Sequence, residues 1–123
     1  MCKKTNLAGR IIFGLAMVVF GVNHFMVGEG MAGMVPSYLP GGVLWVYVTG
    51  VMLVAGGVGV MVNKVASYSG FLLAFTLLCF VLMIHVPAAL ALEPFSLGGI
   101  GMLLKDLGLM AGALVIAGYE YEA

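Results

Sequence analysis

Lys105 and Asp106 stand side by side inside Gly99–Gly118, an apolar run long enough to cross a bilayer at ~1.5 Å per residue. At mid-membrane each charge costs roughly 2.5–3.5 kcal/mol on insertion scales, so such a pair persists only where it faces protein or water. Other apolar runs contribute His24, His85, Trp45, Tyr47 and Thr49. An imidazole or a carboxylate relays protons, and an ammonium, imidazole or phenol donates hydrogen bonds to carbonyl oxygens. These residue types can together hold and protonate a small carbonyl-bearing head group.

Helices in a membrane must position them. The chain has 123 residues, 63% hydrophobic and 8% charged, with a mean hydropathy of +1.20. Soluble domains carry about 25% charged residues, so this chain cannot clothe a surface in water. It reads as an all-α polytopic membrane four-helix bundle, a single domain over residues 1–123, with the lipid bilayer as its first partner. Zero net charge and the absence of a basic patch argue against a nucleic-acid partner. Cys2 and Cys79 read as reduced spectators, and the ten scattered methionines as flexible core filling rather than a copper site. The first apolar segment lacks a small-residue cleavage site and is expected to stay in the membrane.

The expected spans are about 11–27, 43–62, 67–90 and 99–118, with a basic leader before the first and an acidic tail after the last. Lys3, Lys4, Arg10 and Lys64 flank one side only, while Glu29 and Glu93 flank the other. The positive-inside rule then puts both termini in the cytoplasm, in a bacterial inner membrane.

Small residues predict the packed faces. Gly101, Lys105, Gly108 and Gly112 share a stripe that should turn Lys105 toward a neighbouring helix, with Asp106 ~100° away toward Met102 and Ala113. Gly14, Met17, Gly21 and His24 share another, so His24 should face protein. Gly50, Gly56, Gly57 and Gly59 predict tight contact near the cytoplasmic end of the second span. His85 shares its face with Leu78, Val81 and Leu82, and Pro87 should bend or end the third span. By this topology His24, His85, Lys105, Trp45, Tyr47 and Thr49 fall within roughly 10 Å of the outer interface, one polar layer fed by four helices.

Three chemistries suit that layer. A quinone head group would draw on His24, His85, Lys105 or Tyr47 as donors and on a histidine or Asp106 as proton relay, with Trp45 and methionines covering the ring. A haem b would use His24 and His85 as axial ligands, with Lys105 near a propionate. A small ion or solute is the third. Against these stands a structural reading, in which Lys105, Asp106 and the histidines neutralise one another and Trp45 and Tyr47 form an interfacial aromatic belt.

Asn23-His-Phe25 closing the first span, Met34-Val-Pro-Ser-Tyr-Leu-Pro40, Val46-Tyr-Val-Thr-Gly50 and the Asn63-Lys-Val-Ala66 turn resemble DoxX-like membrane proteins. The resemblance covers roughly residues 10–91. It implies a four-helix integral membrane fold and a link to redox chemistry, since name-giving members are similar to the small membrane subunit of a thiosulfate–quinone oxidoreductase. It carries over Asn23, His24, Pro36, Pro40, Thr49 and Gly50. Relatives often place a glutamate shortly after the Thr-Gly, where this chain has Met52, Leu53 and Val54, so either the chain lacks the activity that acid serves or Asp106 supplies it. The expected sites are thus His24, His85 and Asp106 for chemistry, Asn23, Trp45, Tyr47, Thr49 and Lys105 for binding, and no metal centre. A chain without a flavin motif, metal cluster or cysteine pair also implies a protein partner or a homo-oligomer. The competing expectation is a structural or assembly subunit of a larger membrane complex.

Overall fold

The computed structural model describes residues 2–31, 33, 40–85, 97–119 and 121. Their elements are α1 (Cys2–Met26), a short α2 (Gly28–Met31), α3 (Val43–Val60), a 3-10 turn (Asn63–Val65), α4 (Ala66–Phe80), a π turn (Val81–His85) and α5 (Leu97–Gly118). No strand occurs among the described residues. The protein is all-helical, and four stretches are long and apolar enough to span a membrane: Lys3–Met26, Val43–Val60, Asn63–Met83 and Gly101–Gly118. The expected loops at 34–39 and 86–96, with Pro36, Pro87 and Glu93, lie outside the described residues, as do Glu120 and Glu122 of the acidic tail.

The basic leader is not a separate segment. Helix α1 begins at Cys2, so Lys3, Lys4 and Arg10 belong to its first turns. No proline interrupts Thr5 to Arg10, and Arg10 Nε donates to Asn6 Oδ1 at 2.8 Å across one turn. At the other junction, Gly41 (φ 101°) and Gly42 (φ 46°) adopt left-handed conformations that lead into α3; a residue with a Cβ would be strained there.

Two reciprocal glycine pairs set the α1–α3 contact. A Cβ added to Gly57 would lie 2.7 Å from Gly14 O, and one on Gly14 would collide with Gly57 O. Two turns along, a Cβ on Gly21 would lie 2.7 Å from Gly50 O, and one on Gly50 3.1 Å from Gly21 O. The two backbones run antiparallel and touch, the geometry that small residues permit in helix pairs. Gly70 of α4 does the same for α5, where its Cβ would meet Ala113 O at 2.8 Å and Ala117 N at 2.9 Å. Between α3 and α4, Gly56 receives Leu73 and Gly59 receives Ser69. Met17, Leu53, Val60, Leu73, Ala74, Ala113 and Ile116 form the core these contacts enclose.

The helices therefore follow one another around the bundle as α1, α3, α4 and α5. Axes at the closing α1–α5 seam stay further apart than at the other three seams, and side chains bridge it: Phe13 reaches toward Gly112, and Lys105 toward Phe20. The outer surface is apolar, with Ile12, Val19, Phe71 and Val115 among its exposed residues.

The inward face of α5 differs from the glycine-stripe expectation. Among the described residues a Cβ added to Gly101 or Gly108 would have no neighbour within 4 Å, and of the three glycines in that stripe only Gly112 meets another helix. The buried face is Asp106, Ala113, Ile116 and Ala117, flanked by the half-buried Leu109 and Met110. Close approach needs one small residue per crossing, and Gly70 of α4 already supplies it against Ala113 and Ala117. Gly101 and Gly108 are left on the outside. The stripe of Gly14, Met17 and Gly21 in α1, by contrast, is buried as its spacing predicts.

Candidate functional site

Asp106 is placed by the α5 register that also buries Ala113 two turns later, and only 3% of it is exposed. Lys105, the residue before it, points about 100° away and keeps 45% of its side chain exposed. Its long stem bends back so that Nζ sits 3.6 Å from Asp106 Oδ1. The same ammonium lies 5.2 Å from the ring centroid of Phe20 in α1, a cation–π contact across the wide seam. The carboxylate is thus inside the bundle beside the Ala113 face, and its cation sits at the edge, where it still reaches Phe20 of α1.

His24 lies one turn beyond Phe20. Its Nδ1 is 2.7 Å from Phe20 O; a carbonyl only accepts, so Nδ1 carries the proton and donates. In the neutral ring Nε2 is then an acceptor, and protonation would make it a second donor. The imidazole stacks on Phe80 of α4 with centroids 6.0 Å apart and planes 10° from parallel. Phe20 consequently touches both ionisable centres, His24 through its carbonyl and Lys105 through its ring. Nothing in residue type marks Phe20 for this; the only signal in the sequence is its position four residues before His24.

At the end of α4 that carries Phe80, the chain widens into the π turn Val81–His85, which packs against α5. Such turns break the i to i−4 ladder and recur at functional sites. Val81 is buried there, whereas the side chain of His85 lies outside the described residues.

The remaining expected residues are distributed more widely. Tyr47 stacks on Phe25 at 5.7 Å and fills the space beside Gly28, within the α1–α3 contact. The Thr49 hydroxyl is 3.0 Å from Trp45 O and 2.9 Å from Val46 O, so its proton is spent on its own helix. Trp45 is exposed, with its indole N–H donating to Pro40 O. Asn23 is exposed. The structure therefore pairs Lys105 with Asp106 and the Phe20 ring, and sets His24 on the Phe20 carbonyl and the Phe80 ring, while Trp45, Tyr47 and Thr49 contact Pro40, Phe25 and their own helix. Among the described residues no three of His, Cys, Asp or Glu converge as a metal site.

A second polar centre, at the opposite end of the bundle, is not apparent from the sequence. Arg10, which reads there as a flanking charge, is only 4% exposed. Its Nη1 donates to Val60 O at 3.1 Å, its Nη2 to Asn63 Oδ1 at 2.7 Å, and its guanidinium lies 4.7 Å from the ring centroid of Tyr121. Val60 is the last residue of α3, so Arg10 satisfies a carbonyl that the helix end leaves open. Tyr121 in turn donates from its hydroxyl to Ile116 O at 2.7 Å. The partners Asn6, Asn63 and Tyr121 are spread over three separate segments, so no local motif joins them. Two clefts, of about 190 Å³ and 440 Å³, open beside this centre. The basic residues Lys3, Lys4 and Arg10 gather at the first, so the chain does have a small basic patch.

These features define an all-helical bundle of membrane-spanning character, with one polar layer at the α1–α5 seam and one basic centre at the far end. The chain belongs to the family described as domain of unknown function DUF8561, which matches residues 13–104. The matched stretch includes His24 and stops immediately before Lys105. Neither a curated protein nor a solved structure matches the chain.

Proposed function

We propose that this protein is a membrane subunit of a quinone-linked redox system, as its resemblance to DoxX-like proteins implies, seated in a bacterial inner membrane with both termini cytoplasmic. One observation carries the reading: a carboxylate only 3% exposed is paired with an ammonium at 3.6 Å, that ammonium reaches the Phe20 ring of α1, and the carbonyl of the same Phe20 accepts from the His24 imidazole. Ionisable groups kept inside membrane bundles usually mark substrate or proton paths. In this scheme Lys105 and His24 hydrogen-bond the two quinone carbonyls, Phe20 and Phe80 line the ring, and Asp106 passes protons. The gathering of Lys3, Lys4 and Arg10 at one end supports the cytoplasmic assignment. A partner protein supplies or removes the electrons. Haem b would need a second axial ligand, and His85's side chain is not among the described residues.

The test is a dithionite-reduced minus air-oxidised spectrum of the detergent-purified protein, with solvent extraction of bound quinone. A near-ultraviolet quinone signal is expected in the wild type and should be lost in Asp106→Asn with the protein still folded. A Soret band would replace quinone with haem, and a flat spectrum with no extractable quinone would overturn the redox reading.

A structural subunit is the second reading, favoured by the open glycines Gly101 and Gly108 on the face that also carries Lys105. If a larger complex covers that face, Gly108→Leu should abolish co-purification of the complex, while Asp106→Asn should leave it intact.

A further inference from the structure

We infer that the ligand of the polar layer enters sideways from the lipid, through a portal between α1 and α5 that the Lys105–Phe20 contact closes; this rests on the quinone reading and adds its route. Asp106 is 3% exposed, and its carboxylate lies 3.6 Å from the Lys105 ammonium, on a side chain that is 45% exposed. That ammonium sits over the ring of Phe20 in α1, itself partly exposed. Along this seam the buried acid is thus reached past a lysine stem and one ring. The outside at this level is hydrocarbon. Val19 beside Phe20 and Leu104 beside Lys105 are both exposed, within stretches long and apolar enough to span a membrane. A molecule arriving by this route must dissolve in lipid, as a quinone with an apolar tail does.

The other seams are shut by closer packing. At α1–α3 and α4–α5 glycines bring the backbones into contact, and at α3–α4 Leu73 and Ser69 seat on Gly56 and Gly59. Among the described residues α1 and α5 share no such approach. Their bridges are the Lys105–Phe20 contact and the Phe13 ring, 3.3 Å from where a Cβ on Gly112 would stand. A ring resting on a glycine swings aside without moving either backbone. The lysine also has a second resting place. Lys105 is four residues inside the apolar stretch Gly101–Gly118, about 6 Å at ~1.5 Å per residue. A lysine stem covers that distance, and lysines inside membrane helices carry their ammonium out to the interface. Closed, Lys105 covers Phe20 and pairs with Asp106; swung outward, it opens the seam. Returned, it donates to the carbonyl of the ligand that has entered, so latch and binding group are one residue.

The test locks the seam without touching the latch. In a Cys2→Ser, Cys79→Ser background, Phe13→Cys with Gly112→Cys is bridged in nanodiscs by a short bis-methanethiosulfonate linker. Exchange of bound decylubiquinone for its deuterated form is then followed by native mass spectrometry of the full chain. Bridging should slow exchange by roughly tenfold or more, as holding a lid shut does, and a reductant that cleaves the linker should restore it. Phe13→Leu, a milder change that thins the bridge to Gly112, should speed exchange severalfold. Size exclusion and circular dichroism check that the cysteine pair folds; if it does not, the Phe13→Leu rate decides. Decylubiquinone that is retained, but exchanges equally fast bridged, reduced and in Phe13→Leu, would overturn the portal and leave the quinone reading standing. Failure of every form, wild type included, to retain decylubiquinone would overturn the quinone reading and the portal with it.

Discussion

Lys105 of α5 rests its ammonium over the ring of Phe20 in α1, 5.2 Å from the centroid. This contact spans the one seam where the helix backbones stay apart, and it holds the cation beside Asp106. The buried acid depends on its neighbour more than the neighbour depends on it, because Lys105 is 45% exposed and can turn outward.

Lys105→Met should therefore lower stability by about 1–2 kcal/mol, a value discounted for the exposure of the lysine. Asp106→Asn, which preserves shape and hydrogen-bonding capacity, should cost less than about 1 kcal/mol. Unfolding of the purified protein in mixed detergent micelles measures both. A larger loss in Asp106→Asn would reverse the roles assigned to the pair.

Arg10 joins α1, the end of α3, the α3–α4 turn and Tyr121. Arg10→Ala removes several charge-assisted hydrogen bonds and leaves Val60 O unsatisfied, so a loss on the order of 3 kcal/mol is expected. Arg10→Lys should recover only part of it, because a single ammonium cannot reproduce the planar fork. Full recovery by lysine would mean that charge alone matters there.

Tyr121 separates its two contacts cleanly. Tyr121→Phe keeps the ring beneath Arg10 and loses the bond to Ile116 O, about 1 kcal/mol. Tyr121→Ala loses the cation–π contact as well and should cost roughly a further 1 kcal/mol. The comparison is read from the difference between the two melting curves.

The glycines should divide into two groups. Gly21→Ala and Gly57→Ala force α1 away from α3 and should destabilise by about 1–3 kcal/mol. Gly108→Ala meets open space and should gain about 0.5–1 kcal/mol from helix propensity. A destabilised Gly108→Ala would show that another protein covers that face.

The four spans are readable in the sequence because sustained hydropathy marks them whatever they pack against. The α1 face is readable too, since Gly14 and Gly21 meet Gly57 and Gly50 at one register. The α5 face is not, because a glycine stripe states that close approach is possible and not that a neighbour is present; Gly70 on the other helix decides it. The spacing places Asp106 correctly relative to Ala113, but its greater burial than Lys105 follows only once the α5 face is known. Arg10 is hidden for another reason. An arginine at the edge of an apolar run looks like a flanking charge until Asn63 and Tyr121, from distant parts of the chain, are folded onto it.

Where backbones touch, as at Gly14 and Gly57, a displacement of one helix must carry its partner with it. Two seams of this bundle, α1–α3 and α4–α5, are stiff in that sense, side chains of α4 seat on glycines at the α3–α4 seam, and the α1–α5 seam is joined by flexible side chains. Mechanical compliance is therefore concentrated along the line that also holds Phe20, Lys105 and Asp106. The spacing of these groups should then respond to the thickness and lateral pressure of the surrounding bilayer.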